Sequence, residues 1–266
     1  MHKNKYSIEL IKQASEWATQ TSLTEAAKKF NIPYGTLKGA SVRLGFRHPV
    51  RTRFKNKYKH ETQLNYFNTI DSHEKAYYLG LIYADGSISK GNYPNSKVFS
   101  IGLQLQDKYI LERLLVCMNA NSTIYEYKNS ARINLYDPTV FDDLQKHGVM
   151  PSKSYLEYSM PNINMEYVNS FLLGYFDGDG CVTIKSNGSG SGVNITSNSE
   201  EFLKDIQKHL TTLDIKTYIR RIEKPTGHLF VLYVSGKANH IKFRDYLYKD
   251  FNNSLIRKKN KFYQIN

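Results

Sequence analysis

Two short stretches of this chain say the same thing twice. Residues 78–86 read Tyr-Leu-Gly-Leu-Ile-Tyr-Ala-Asp-Gly, and residues 172–180 read Leu-Leu-Gly-Tyr-Phe-Asp-Gly-Asp-Gly. Each is an apolar helical run with Gly at its third position, closed by Asp-Gly. A helix that ends on Asp sets a negative charge at the negative end of its own dipole, which is unfavourable. The Gly that follows suits the left-handed residue that often stops a helix. Repetition of this ending 94 residues apart implies an internal duplication that brings Asp85 and Asp179 together. Two carboxylates at adjacent helix ends repel each other and call for a cation. A site of oxygen donors without soft ligands points to Mg²⁺.

The paired stretches resemble the two motifs of the LAGLIDADG homing endonucleases. Gly80 and Gly174 match the motif's first Gly, Asp85 and Asp179 its last Asp, and Gly86 and Gly180 its last Gly. The first copy departs from the pattern with Tyr83 where an earlier Asp is common. The second copy keeps that residue as Asp177. The resemblance covers residues 70–266.

The order of elements repeats as well. After the first motif helix, residues 97–106 alternate, with Phe99, Ile101, Leu103 and Leu105 on one face and polar residues or Gly on the other. Such a period of two marks a strand. Residues 107–118 read as an amphipathic helix, 122–128 and 131–136 as a hairpin, and 139–146 as a helix. The second half matches with strands at 181–184 and 193–196, a helix at 200–213, a hairpin at 216–223 and 228–235, and a helix at 238–248. The fold class expected is α/β (α+β), a pseudo-two-fold αββαββα duplication with antiparallel DNA-binding sheets and a small N-terminal helical domain.

That N-terminal part is a polycation. Residues 1–60 hold 13 Lys and Arg against 3 Asp and Glu, and residues 61–266 hold 24 against 21. Concentrated positive charge suits a phosphate backbone. Helical spacing of Ile8, Leu10, Ile11, Ala14 and Trp17, a second helix from Thr24, a turn at Asn31-Ile-Pro-Tyr-Gly and a third helix over 36–44 together resemble a helix-turn-helix. Lys38 and Arg43 lie on its last helix, and Arg47, Arg51 and Arg53 begin a basic tail. The domains expected are 1–46, helix-turn-helix-like; 47–69, basic linker; 70–160, first half; and 161–266, second half. The other reading of 1–60 is a helical bundle with a solvated basic surface.

Gly80 and Ala84 lie four apart on one helix, as do Gly174 and Gly178. Small residues at that spacing let two helix backbones approach closely. The family resemblance implies further catalytic groups. It carries a Lys near the scissile phosphates to Lys153 and Lys258, which share an apolar-x-x-Lys frame, with Lys259 a near rival for the second. It carries a polar strand residue near the metal site to Gln104 and Asn194. On the hairpins Arg132, Asn134, Lys216, Tyr218 and Arg220 alternate with apolar residues and suit base or phosphate contacts, or else form a solvated sheet face.

The two cysteines form no CxxC, so a disulfide scaffold and a Cys-rich zinc site are not expected. No apolar run is long enough for a signal peptide or a membrane span, which leaves an intracellular protein with no membrane partner as the expectation. The ends of the chain lack splice-junction residues, so an intein is not expected. The resemblance implies a monomeric, Mg²⁺-dependent enzyme acting on double-stranded DNA, cutting both strands across the minor groove and leaving short 3′ overhangs. Two rivals stay open: a maturase that binds intron RNA, and a non-cleaving DNA-binding regulator.

Overall fold

Among the described residues, serine hydroxyls start four helices at the places where the apolar pattern begins. In a computed structural model that describes residues 6–46, 65–91, 96–151, 156–184, 190–225 and 227–265, the chain divides into two units, Met1–Lys59 and His60–Asn266. Arg47, Arg51, Arg53 and Lys153 lie outside the described residues.

In the first unit α1 spans Ile8–Gln20, α2 Leu23–Lys29 and α3 Tyr34–Arg43. The Ser7 and Ser22 hydroxyls accept from the amides of Leu10 and Glu25, satisfying donors that the first helical turns leave open. Between α2 and α3, Asn31 takes a left-handed φ of 51°, and the Ile32 amide closes back onto the Ala27 carbonyl at 3.0 Å. Asn tolerates that conformation, which makes the tight turn. Pro33, with φ −54°, lets α3 begin at Tyr34, two residues ahead of the start expected from sequence. A small core of Ala14, Ala18, Ala26, Ala27, Ile32 and Leu37 joins the three helices, and a buried Ser15–Ser41 hydrogen bond of 2.5 Å ties α1 to α3. Ile8 is 59% exposed and falls outside the apolar stripe read from the sequence.

The second unit carries the duplication. Its first half runs α4 (His73–Asp85), β1 (Gly86–Lys90), β2 (Lys97–Gln104), α5 (Lys108–Cys117), β3 (Tyr125–Tyr127), β4 (Ser130–Leu135) and α6 (Pro138–Lys146). The second half runs α7 (Val168–Asp179), β5 (Gly180–Ile184), β6 (Ser191–Ser197), α8 (Glu200–Thr212), β7 (Thr217–Lys224), β8 (Gly227–Val234) and α9 (Lys237–Leu247). Each half forms an antiparallel four-stranded sheet, in the orders β1-β2-β4-β3 and β5-β6-β8-β7. The orders are identical, as the repeated element pattern requires. Ser72 and Ser199 cap α4 and α8, and Asp137 followed by Pro138 starts α6.

Three features depart from the sequence reading. Residues 65–69, expected in a linker, belong to the core: Tyr66 and Phe67 are buried, and His147 Nε2 meets the Phe67 carbonyl at 2.7 Å. A further helix, α10 (Ile256–Phe262), follows α9 and buries Phe262 against Phe176 and Phe243. The third concerns the Gly after each motif. Gly86 (φ −82°, ψ 159°) and Gly180 (φ −88°, ψ 154°) are extended, not left-handed. They are the first residues of β1 and β5. A Cβ on Gly86 would stand 2.8 Å from the Ile82 carbonyl oxygen, and one on Gly180 would meet Phe176 at 2.5 Å. Glycine is needed there for space, because helix passes directly into strand.

Candidate active site

The two motif helices cross at their glycines, and the crossing sets the site. A Cβ on Gly80 would run into the Phe171 carbonyl oxygen and come within 2.9 Å of the Tyr175 amide nitrogen. A Cβ on Gly174 would meet the Tyr77 carbonyl oxygen and come within 2.8 Å of the Leu81 nitrogen. The contacts are reciprocal: each Gly faces the carbonyl three residues before the other Gly and the amide one residue after it. That reciprocity is the pseudo-two-fold axis seen at atomic detail. One turn further on, Gly178 packs on Ala84, and a Cβ there would lie 2.9 Å from Asp85 Oδ2. The C-terminal ends of α4 and α7 therefore meet, and Asp85 sits beside the residue preceding Asp179. All four expected interface residues, Gly80, Ala84, Gly174 and Gly178, are at the crossing.

The two carboxylates open onto different cavities. Asp85 lines one of about 360 Å³ with Gln104, Asp107, Arg132, Asp177 and Arg257. Asp179 lines one of about 200 Å³ with Tyr83, Tyr158, Tyr175, Thr196, Ser197 and Asn198. Gln104 thus lies where the sequence reading expected it. Its proposed counterpart does not. Gly86 pairs with Ile101 and Gly180 with Ile195, so the halves keep the 94-residue offset of the motifs, and the equivalent of Gln104 is Asn198. Asn194 matches Ser100 instead and faces Cys181 and Tyr233 across the sheet.

Lys258 does a different job from the one expected of it. Its ammonium donates to the carbonyls of Phe176 (2.8 Å), Asp177 (2.7 Å) and Gly180 (2.6 Å). These are the open acceptors at the end of α7, so a buried cation caps the negative end of the helix. Here lies part of the answer to how α7 ends on an acidic residue. Burial pulls the Lys258 pKa below its ordinary value, and the Asp177 charge opposes that pull. Lys259 is half-buried, and its ammonium donates to Asn252 Oδ1 at 3.0 Å.

Asp177 is buried behind the site. Oδ2 accepts from the Tyr77 hydroxyl and from the Leu255 amide, both at 2.8 Å, while Oδ1 has no hydrogen-bond partner. Burial pushes its pKa up to about 6, against the lowering effect of the Leu255 amide and Lys258. In the first half the equivalent Tyr83 hydroxyl donates to the His147 carbonyl at 2.5 Å. Both residues tie a motif helix to the segment that follows α6 in the first half and α9 in the second. Arg257 and Asp107 were missed by the sequence reading. Arg257 Nε and Nη2 each stand 2.9 Å from Oδ2 of Asp107, whose side chain is 3% exposed.

Outward from the cavities, one face of each sheet is polar and aromatic. In the first sheet Ser100 pairs with Asn134, whose Oδ1 accepts the Ser100 hydroxyl at 2.7 Å, and Arg132 lies across Gly102. Tyr125 stands opposite Arg132, and both are exposed. In the second sheet Tyr218 stacks on Tyr233 at 5.1 Å, and the Arg220 guanidinium covers both rings. Lys216 lies just ahead of β7, exposed, its amide donating to Asn239. In the separate N-terminal unit, Lys38 and Arg43 are exposed on α3, beside Gly35 and Gly39, which have open space around them.

The donor set at the cavities consists of hard oxygens from Asp85 and Gln104 on one side, and from Asp179, Ser197 and Asn198 on the other. Such donors fit a divalent cation such as Mg²⁺. Among the described residues no three His, Cys, Asp or Glu side chains gather closely enough to hold a metal alone. An ion here would complete its shell with water and substrate oxygens, the habit of Mg²⁺ at phosphate sites. Among the described residues, no helix is long and apolar enough to cross a membrane.

Two family models match the second unit, a WhiA LAGLIDADG-like domain over residues 74–144 and a LAGLIDADG-like domain over residues 166–248. Among curated proteins, the chain is 24% identical over 196 residues to the DNA-directed RNA polymerase subunit Rpo1C of Methanocaldococcus jannaschii, covering 71% of this chain and 20% of that protein. It is 38% identical over 82 residues to the probable translation initiation factor IF-2 of Thermococcus kodakarensis, covering 31% of this chain and 6% of that one. It is 26% identical over 175 residues to the reverse gyrase of Thermococcus kodakarensis, covering 65% and 9%. The chain thus spans a fifth or less of each of these relatives. Its fold is similar to a crystal structure of I-DmoI in complex with DNA and Mn, with TM-score 0.50 and 17% identity over 68% of this chain and 98% of that one. A structure of mesophilic variants of the homing endonuclease I-DmoI also gives TM-score 0.50, at 16% identity over 70% of this chain and 98% of that one.

Proposed function

Because the chain belongs to the LAGLIDADG family, with one such domain in each half, we propose that it is a site-specific endonuclease that cuts both strands of DNA. The observation that supports this reading is the reciprocal glycine crossing, which brings the C-terminal ends of the two motif helices together and sets Asp85 beside Gly178, the residue before Asp179. Two carboxylates on a pseudo-two-fold axis suit the two strands of a duplex, whose backbones are themselves related by two-fold axes. Asp85 and Asp179 would hold divalent cations, Mg²⁺ in our reading. Bound there, such ions would supply charge neutralisation and an activated water at a phosphodiester.

The chain's own groups do the rest. The polar sheet faces track the duplex, Arg132, Tyr218 and Arg220 offering contacts to bases or phosphates. Gln104 and Asn198, at matched positions beside the two carboxylates, orient water at the two phosphates. Lys258 holds α7 in register by capping its last carbonyls, which fixes where Asp179 points. Helix α3 of the basic N-terminal unit is read as a major-groove helix, with Lys38 and Arg43 on phosphates or base edges. Because both half-sites lie in one chain, a monomer suffices. Cleavage across the minor groove with short 3′ overhangs is the product that the family resemblance implies.

The curated relatives fit this reading. A polymerase subunit, an initiation factor and a reverse gyrase have no activity in common, and this chain matches only a small part of each. The shared part is then a module carried within them, as expected of a mobile endonuclease.

The test begins with a duplex site recovered from a randomised library by binding to the full chain in Ca²⁺. Wild type should linearise a plasmid carrying that site in Mg²⁺ and stop when EDTA is added. Asp85→Asn and Asp179→Asn should each abolish linearisation and keep the gel shift in Ca²⁺. Binding without cutting by wild type would favour a non-cleaving regulator, and wild-type cutting rates in both variants would remove the two Asp residues from the site.

A further inference from the structure

Among the described residues the two cavities are alike in position and unlike in content, and the difference centres on α10. The helix has no counterpart in the order of elements of the first half among the described residues. Its second residue, Arg257, reaches back across the pseudo-two-fold axis to the first half. There it lines the Asp85 cavity and pairs with Asp107, the residue that starts α5. The pair joins residues 150 apart in sequence.

Its geometry is that of a pre-set cation. Asp107 is almost wholly buried, and the Arg257 side chain is 40% exposed. The carboxylate engages Nε and Nη2. A guanidinium carries five donors in a rigid plane, so Nη1 and further N–H groups lie outside this bond. A carboxylate that fixes one edge of the plane removes the rotamer entropy that an exposed Arg would otherwise lose on binding. Lys258, the neighbouring cation, is spent on three main-chain carbonyls. Among the described residues, the Asp179 cavity is lined instead by three tyrosines, of which Tyr158 bonds Ser197 and Tyr175 bonds the Thr196 carbonyl.

We propose that Arg257 is a phosphate-positioning residue for one strand only, the strand seated at the Asp85 cavity. This rests on the endonuclease reading above. A planar guanidinium suits two oxygens of a phosphodiester, and a donor placed before the reaction stabilises the charge that develops at phosphorus without reorganising. Asp107 acts through Arg257. The two strands are accordingly cut by unlike half-sites, and their rates are set by different residues.

The experiment measures single-turnover cutting of each strand separately, with the full chain at saturating concentration. The probe is the duplex recovered by Ca²⁺ binding selection, labelled on either strand. Arg257→Gln should slow one strand by about 100-fold, the usual scale for losing one pre-organised donor, and leave the other within about threefold. Nicked circles should then accumulate on a plasmid. Arg257→Lys should restore part of the rate on that same strand, as a point charge without the fork. Asp107→Asn should slow the same strand by a smaller factor. Equal slowing of both strands, or a loss confined to affinity with both saturated rates unchanged, overturns the assignment. A wild-type chain that binds the site and cuts neither strand overturns the endonuclease reading, and this inference with it.

Discussion

Replacing Gly80 or Gly174 with Ala tests the helix crossing on which the whole site depends. Intrinsic propensity favours the change, since Ala in a helix interior is better than Gly by about 1 kcal/mol. The tertiary structure opposes it. The new Cβ on Gly80 would come within 2.9 Å of the Tyr175 nitrogen and closer still to the Phe171 carbonyl oxygen, and the obstacle is main chain that cannot rotate away. Recovering an ordinary separation of about 3.5 Å from that carbonyl oxygen needs the helices to part by roughly 1.5 Å, and a gap of even about 1 Å forfeits up to half of each dispersion well. Parting them loosens Phe171, Leu172, Tyr175 and Phe176 together, all fully buried at 0% exposure. Overpacking of this kind costs about 1–3 kcal/mol in yielding cores and more where backbone is struck. We therefore expect each variant to lose about 2–4 kcal/mol net of the propensity gain. Because one separation relieves both clashes, the double variant should lose less than the sum of the singles by about 1 kcal/mol or more. Urea titration followed by tyrosine near-ultraviolet circular dichroism is dominated by the second unit, which holds 18 of the 21 tyrosines. Trp17, the sole tryptophan, reports the first unit by fluorescence and should not change. Single variants as stable as wild type, or strict additivity in the double, would refute the close reciprocal crossing.

Lys258→Met should destabilise the second unit by at least about 2 kcal/mol, since it strips a charged donor from three buried carbonyls. Because burial lowers the folded-state pKa of Lys258 below its ordinary 10.5, the unfolded chain binds more protons between the two values. Its contribution therefore grows as pH rises through the folded value, and the wild type's stability advantage over Lys258→Met should widen up to about pH 10.5; a gap that narrows with pH would contradict the assignment. Deleting residues 1–59 should leave a folded second unit that still cuts at higher protein concentration, with a shallower dependence of binding on salt, each lost phosphate contact lowering the slope by roughly one unit; unchanged affinity and slope would make the basic unit solvated surface.

Much of the fold was legible because it is written in periods. Alternation at Phe99, Ile101 and Leu103 gave β2, whose burial follows that pattern, and the repeated order of elements gave two sheets of identical strand order. The glycines of the motifs announced a close approach of helices, because four-residue spacing of small residues has few other uses. Register was written too and misread. The motif offset carries Gln104 to Asn198, yet Asn194 also stands between apolar neighbours, and a period of two cannot tell one polar strand position from the next.

Other facts lay beyond any local signal. Local sequence alone suggested that Gly86 and Gly180 turn left-handed at a helix end; only packing showed that they are extended and merely short of room beside Ile82 and Phe176. The motif frame made Lys258 a candidate for phosphate contact, but a flexible ammonium goes to the strongest unmet acceptors, and the end of α7 supplies three. Arg257 and Asp107 meet across 150 residues, so no window of sequence contains both. The sequence determined which segments repeat and which faces are apolar, since those are properties of neighbours along the chain. The tertiary structure decided which cation serves a helix end and which faces a cavity, because that choice depends on where acceptors from distant segments converge.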